Sequence, residues 1–443
     1  MQFTATQVAA ATGGRLIGPD TTVSGAGIDS RTITAGQLFV PIVAARDGHE
    51  FIGTAVAAGA SVTLASTPVD VPGVTVVEVD DTATALARLG TAARDRVTGP
   101  VIGVTGSVGK TSTKDLLARV LSTGLRTAAN ERSFNNELGL PLTLFNAPDD
   151  TEAVVVEMGA RGVGHIATLC EIAHPTIGVV TRVDGVHLEL FGDIASIVQA
   201  KGELIASLPD DGLAVLNADQ AEVVSMAART SARVIAYGSA PTADVRATDI
   251  RVDAELRPTF VLHTPWGSIE VSMQARGRHQ VHNALAAAAV AGGIGLGVDR
   301  IAEGLSGAAI SGLRMELSRT DSGVQILNDS YNANPTSMVA ALEALAGLTG
   351  NRKLAVLGVM AELGGTARAE HLAISDRAAE LGIDVIAVDA PDYGPRATHV
   401  ADIDDAVLAL GDLGDGDAVL VKGSRVAALE RVAQALLTTT GAH

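Results

Sequence analysis

The sequence predicts an α/β protein of three domains, built round a central P-loop sheet and ending in a Rossmann-like domain. Three observations carry that expectation. A chain of 443 residues is long enough for about three domains. Short apolar runs alternate with Ala-rich helical stretches along most of it, the pattern of parallel strands and crossover helices. The stretch VIGVTGSVGKTSTKDLLAR, from Val101 to Arg119, breaks from strand to helix at small residues.

That stretch has the shape of a phosphate cradle. Val101, Ile102 and Val104 form a buried-strand run, the turn that follows holds Gly106, Ser107 and Gly109, and a helix starts at Lys110. Amides at a helix start, together with the positive end of the helix dipole, favour a polyphosphate. Lys110 adds a mobile cation, and Thr111, followed by Ser112, offers a hydroxyl to the accompanying magnesium ion. The general pattern asks for glycine five positions before Gly109, where this chain has Val104, so the loop reads as a shortened P-loop.

Composition narrows the setting. Apolar residues make up 47% but aromatic ones only 2%, so the cores must be built from Ala, Val, Leu and Ile. A net charge of −18 repels nucleic-acid backbones and anionic membranes, and any anionic ligand must be met by local cations. Lysine is scarce: five, at 110, 114, 201, 353 and 422, against 27 arginines. The single cysteine, Cys170, excludes an internal disulfide and a Cys-rich zinc site and fits a reducing compartment. The first positive side chain is Arg15, which is not the start of a signal peptide, and the uncharged, Ala- and Gly-rich stretch Ala284 to Val298 is short of a membrane span. A cytoplasmic protein without membrane insertion is expected.

In chain order, residues 1–82 form the first domain. Its GIDSRTITAGQLFV segment places Ser30 and Arg31 before a turn and an apolar strand, Leu38 to Val43. A guanidinium fork beside a hydroxyl suits a diphosphate, although on the residues alone a plain surface arginine is the better explanation. The second domain, 83–313, opens on an Ala-rich helix, Asp81 to Arg96, and then the P-loop. Asn135 and Asn136 follow in a polar loop; paired amides bind peptide groups, or simply make turns. The strand Ala153 to Val156 ends in Glu157, at the carboxyl edge where open α/β sheets bind ligands, so Glu157 is either a metal ligand or a solvated strand-end acid. Another strand, Thr176 to Thr181, leads to His187 and Glu189, and Asp193 caps a helix whose only cation is Lys201. Alternation about Pro265-Trp266-Gly267 signals an antiparallel hairpin, and an Ala-rich helix follows from Asn283. The third domain, 314–443, starts with Arg314 and alternates strands at Val324, Leu354, Val385 and Ala418 with helices, one of them beginning at Pro335.

Taken together these segments resemble the ATP-dependent Mur ligases of peptidoglycan synthesis, over essentially the whole chain. GSVGKTS looks like the family's shortened P-loop, the DSR and FVP stretch like its UDP-binding domain, and EMGARGVGHI and HLELFGD like its metal-binding loops. AKGEL looks like the segment bearing a lysine that becomes carbamylated, and SFNNELGLPLTL and DSYNANPTSM mark the branch that adds a dipeptide. The resemblance implies a ligase joining D-alanyl-D-alanine to UDP-N-acetylmuramoyl-tripeptide, working as a monomer in cell-wall biogenesis, and thereby serving cell shape and division. It implies ATP and Mg²⁺, with Thr111, Glu157, His187 and a carbamylated Lys201 as metal ligands. Ser30 and Arg31 then match the UDP-contacting pair and Asn135 and Asn136 the substrate loop. Asn283 matches an adenine contact, Arg314, Asp329 and Asn332 the nucleotide-facing side of the third domain, and Lys422 with Arg425 a late motif near the incoming dipeptide.

The chain departs from the family at two places. Where relatives usually have Thr-Asn and then a small residue before the histidine loop, it has Thr181-Arg182 and Asp184; where they usually have Asp after a strand-end glycine, Gly358 is followed by Val359. Two rivals stand beside the main reading. One is a sister amide ligase on the same scaffold, another Mur ligase or a folylpolyglutamate synthase; the other is a non-catalytic nucleotide-binding regulator.

Overall fold

A computed structural model describes residues 1–130, 134–185 and 188–439. Among these, three main sheets follow one another along the chain. The first has the spatial order Arg15–Ile17, Thr75–Glu78, Val62–Ala65, Leu38–Phe39, Ala26–Gly27, with Arg15–Ile17 antiparallel to its neighbour and the rest parallel. The apolar strand expected to reach Val43 stops at Phe39. Pro41 has no N–H to continue a ladder, and Val43 instead lies exposed and bridges Asp47.

The helix Thr82–Arg94, capped by the Asp81 carboxylate, ties the first sheet to the second. Its Leu86 and Leu89 share one core with Val62 and Leu64 on one side and Leu140 and Ile172 on the other. Arg88 donates to Thr12 O (2.7 Å) and Arg94 to Ala173 O (2.9 Å), so residues on both sides of position 83 pack together.

The second sheet is parallel throughout, in the order Arg233–Tyr237, Leu213–Asn217, Ile177–Val180, Val101–Thr105, Ala153–Glu157, Thr127–Ala129. Every residue of Val101–Thr105 and of Ala153–Glu157 is buried, as continuous apolar runs covered on both faces require. On one face lie the helices Lys110–Leu121 and Gln280–Gly293; the second buries a run of alanines, Ala286 to Ala289, whose small side chains bring helix and sheet close. On the other lie Gly139–Asn146, His165–Ala173 and Ile194–Ala206. From Val101–Thr105 the chain goes first to one side of the sheet and then to the other. That switch point opens a crevice beyond the strands' carboxyl ends, at the P-loop. The hairpin expected about Trp266 is present, Pro258–Thr264 with Gly267–Ser272, and Arg246–Val252 adds a third strand.

The third sheet runs Glu316–Arg319, Gln325–Asn328, Ala418–Lys422, Lys353–Leu357, Asp384–Val388, Thr398–Val400, parallel except for its first strand. The helix Pro335–Gly347 begins with its proline, and Asn334 and Ser337 cap it reciprocally. No helix among the described residues is long and apolar enough to cross a membrane.

Candidate active site

A cavity of about 900 Å³ lies between the carboxyl edge of the second sheet and the third domain. The site residues expected from the sequence line it, with three exceptions. Ser30 and Arg31 lie apart in the first domain, Arg31 exposed and paired with Asp29 at 2.6 Å, which holds the Asp29 carboxyl at about 2. His187 lies outside the described residues.

The cradle is held open by backbone geometry. Gly106 has φ +148° and a side chain there would meet the Thr181 hydroxyl; Gly109 has φ +86° and a side chain there would meet the Asn283 amide. No side chain caps the helix that Gly109 begins, which leaves the amides of its first turn available to an anion. The cradle leans on the segment after Ile177–Val180: Ser107 N donates to Arg182 O (2.7 Å), and Thr181 Oγ1 donates to Val108 O (2.6 Å). Lys110 Nζ donates to Gly106 O (2.8 Å). Burial lowers its pKa, Glu157 opposing that shift and Arg314 adding to it.

Beside the cradle, Glu157 is buried and fully engaged. Its Oε2 accepts from Thr111 Oγ1 (2.6 Å), its Oε1 from Asn135 Nδ2 (2.9 Å), and its own N–H donates to Asn130 Oδ1 (3.0 Å). Arg314 crosses from the third domain to donate to Thr111 Oγ1 (3.0 Å), its guanidinium 4.1 Å from the centre of the Tyr331 ring. Lys201 is 3% exposed. Burial first and the Lys110 cation second bring its amine down to about 7, with Asp184 pulling the other way.

These groups fit a magnesium ion in one respect: Thr111 and Glu157 present oxygens side by side, and a guanidinium already lies against them, as it does where negative charge collects. Among the described residues no three His, Cys, Asp or Glu side chains cluster as a metal site, so a full oxygen shell needs other donors.

The remaining positions are more constrained than their sequence suggests. Asn283 spends its amide inside the protein, accepting from Thr113 Oγ1 (3.2 Å) and donating to Gln280 (2.8 Å). Asn136 Oδ1 accepts the Gly139 N–H (2.9 Å) at the start of Gly139–Asn146. Lys422 is 2% exposed and donates to the Asp329 carboxylate, Asp329 O and Asn332 O, so all three of its protons are taken by protein oxygens. Arg425 pairs with Glu430 (2.8 Å), and Val359 O receives the Ser424 N–H (2.9 Å). Asn130 and the Lys114-Asp115 pair were not singled out from the sequence; the scarcity of lysine was the signal that pointed to Lys114.

Comparison with known proteins bears on the family and the fold. The Mur ligase middle domain profile matches residues 104–291, and that of the Mur ligase, glutamate ligase domain matches residues 313–425. A Mycobacterium tuberculosis protein named UDP-N-acetylmuramoyl-tripeptide--D-alanyl-D-alanine ligase is 42% identical over 92% of this chain and 91% of its own. The crystal structure of MurF from Acinetobacter baumannii superposes with a TM-score of 0.89 at 30% identity, covering 99% of both chains. MurF ligase from Thermotoga maritima in complex with ADP superposes with a TM-score of 0.82 at 28% identity, over 93% of this chain and 96% of that one. With two domain profiles, a full-length relative and the fold in agreement, the chain belongs to the Mur ligase family, in the branch of the UDP-N-acetylmuramoyl-tripeptide--D-alanyl-D-alanine ligases.

Proposed function

We propose that this chain uses ATP to join D-alanyl-D-alanine to the tripeptide of UDP-N-acetylmuramoyl-tripeptide, through an acyl phosphate, as a step of peptidoglycan synthesis. The observation that supports it best is one cavity in which the phosphate cradle, the Thr111–Glu157 pair, the Asn135 loop and Arg314 of the third domain are joined by hydrogen bonds.

A carboxylate is a poor electrophile, and phosphorylation corrects that. An oxygen of the tripeptide's terminal carboxylate attacks the γ-phosphorus of ATP, the bond to the β-γ bridging oxygen breaks, and ADP leaves. The dipeptide's amine then attacks the acyl carbon, inorganic phosphate departs, and the amine loses its proton. The protein's part is alignment and charge. Loop amides and Lys110, released from Gly106 O, take the phosphates; Asn135 and Asn136 face the peptide; Arg314 brings the third domain's charge to the phosphate end. Thr111 and Glu157, with His187 and a carbamylated Lys201, would hold Mg²⁺, which would supply positive charge to the phosphate oxygens. Ser30 and Arg31 hold the UDP diphosphate, and Asn283, Asp329 and Asn332 border the nucleotide. The chain acts as a monomer in the cytoplasm.

Phosphate release is expected only when ATP, the UDP-tripeptide and D-alanyl-D-alanine are all present, because an acyl phosphate made without its amine is lost to water. A panel of UDP-peptides and amino acids, read by phosphate and by mass, tests this. Equal turnover with ATP alone, or ligation of a single amino acid in place of the dipeptide, would sink the reading.

A further inference from the structure

The helix Lys110–Leu121 carries two adjacent charged residues, just past the phosphate lysine, that have no role in the chemistry above. Lys114, 3% exposed, donates to Asn130 O (2.7 Å) and pairs with Asp115 Oδ1 (2.9 Å). The other oxygen of that carboxylate, Oδ2, accepts both the N–H (2.9 Å) and the hydroxyl (2.7 Å) of Ser311, in the segment that leads into the third domain. Three residues further on, Arg314 reaches Thr111, which holds Glu157, which returns to Asn130. The contacts close a ring from the metal-site carboxylate through the linker and back to the P-loop.

The linker itself is pinned at two points. Ser311 belongs to the central domain through Asp115, while Leu313 O accepts from Tyr331 N (3.2 Å) and Met315 N donates to Asp329 Oδ1 (3.1 Å), both in the third domain. Leu313 and Met315, on either side of Arg314, have φ of 63° and 50°, a left-handed conformation that side chains resist unless their surroundings impose it. Between the two pins lies exposed Gly312, where an added Cβ would meet nothing within 4 Å.

We infer that Asp115 is a positioning residue for ligation: it clamps the central end of the linker, confines rotation of the third domain to Gly312, and so delivers Arg314 to the phosphate end of the cavity. A carboxylate is suited to this, because its hydrogen bonds to an amide and a hydroxyl are charge-assisted and, at 12% exposure, poorly screened. The inference rests on the ligase reading for its kinetic consequence but not for its structural one.

The test uses the full chain with Asp115→Ala and, separately, Ser311→Ala, which trims one hydroxyl from the linker and leaves the core untouched. Spin labels at Glu222→Cys in the central domain and Asp404→Cys in the third, both exposed, report the distance between domains, the native Cys170 being buried. Without nucleotide, both variants are expected to broaden the distance distribution, Asp115→Ala more. ADP affinity should stay within about twofold, because the cradle is intact, while kcat falls about tenfold, as loss of a charged hydrogen bond implies. Phosphate release should also outrun peptide formation. An unchanged distance distribution in both variants, or a broadened one with unchanged kcat, overturns the inference. If Asp115→Ala does not fold, Ser311→Ala alone decides it by the same readouts. A wild-type chain that forms no peptide bond would defeat the ligase reading separately, and the distance measurement would then decide the clamp by itself.

Discussion

Lys110→Ala should lose ligase activity by more than about a hundredfold while keeping its fold. The lysine keeps part of its surface on the cavity and its ammonium now rests on a loop carbonyl, so truncation removes little packing. What it removes is the cation that meets charge developing on the transferred phosphoryl group, a loss of at least about 3 kcal/mol in the barrier. Thermal unfolding within a few degrees of wild type, with kcat collapsed, is the expected pair of results. Retention of more than a few per cent of the wild-type rate would remove the P-loop assignment.

The second large effect belongs to Lys201. A lysine whose amine sits at about 7 is substantially neutral at physiological pH, and only the neutral amine adds CO₂ to give a carbamate and a proton. The product is an oxygen ligand where an ammonium would repel the metal. Lys201→Ala should therefore lose most activity and regain part of it with formate or acetate, which fill the vacated position. Lys201→Arg keeps a charge and cannot be modified in this way, so it should be no better than alanine. Labelled bicarbonate should give a carbamate carbon resonance in the wild type and none in either variant. An active Lys201→Arg variant would refute the role.

The sign of the pH dependence follows from the same residue. Its folded-state pKa lies below the usual 10.5, so between about 7 and that value the unfolded chain binds the extra proton and this site's contribution to stability rises with pH. Below about pH 7 the buried amine is protonated, and bicarbonate-dependent activation should fade as pH drops through that point.

Much of this was legible in the sequence because it is local. The P-loop, the strand-end Glu157 and the Pro335 helix each follow from glycines, apolar runs and caps within a few residues, and the structure places them at those positions. The end of the Leu38–Phe39 strand was misjudged because one proline outweighed an apolar run. What could not be seen were partnerships across the fold. Asp115 meets Ser311 from 196 positions away, and Lys422 finds its carboxylate, Asp329, 93 positions earlier. Local pattern marks a charge; only topology says whether it faces a ligand or another residue.

Arg182 and Asp184, which make up one of the chain's two departures from the family pattern, pair through two of the guanidinium nitrogens and both carboxylate oxygens at 3.1 to 3.2 Å. Their backbone and the Ser107 side chain also support the cradle, Ser107 Oγ lying 3.0 Å from Asp184 N and 3.0 Å from Asp184 O. The two side chains therefore act as one ion pair beside the cradle rather than as two separate charges. Removing the Arg182 guanidinium alone would leave Asp184 without its ion-pair partner, an acid whose field already favours the proton on Lys201, and would thereby oppose the carbamylation proposed for that lysine.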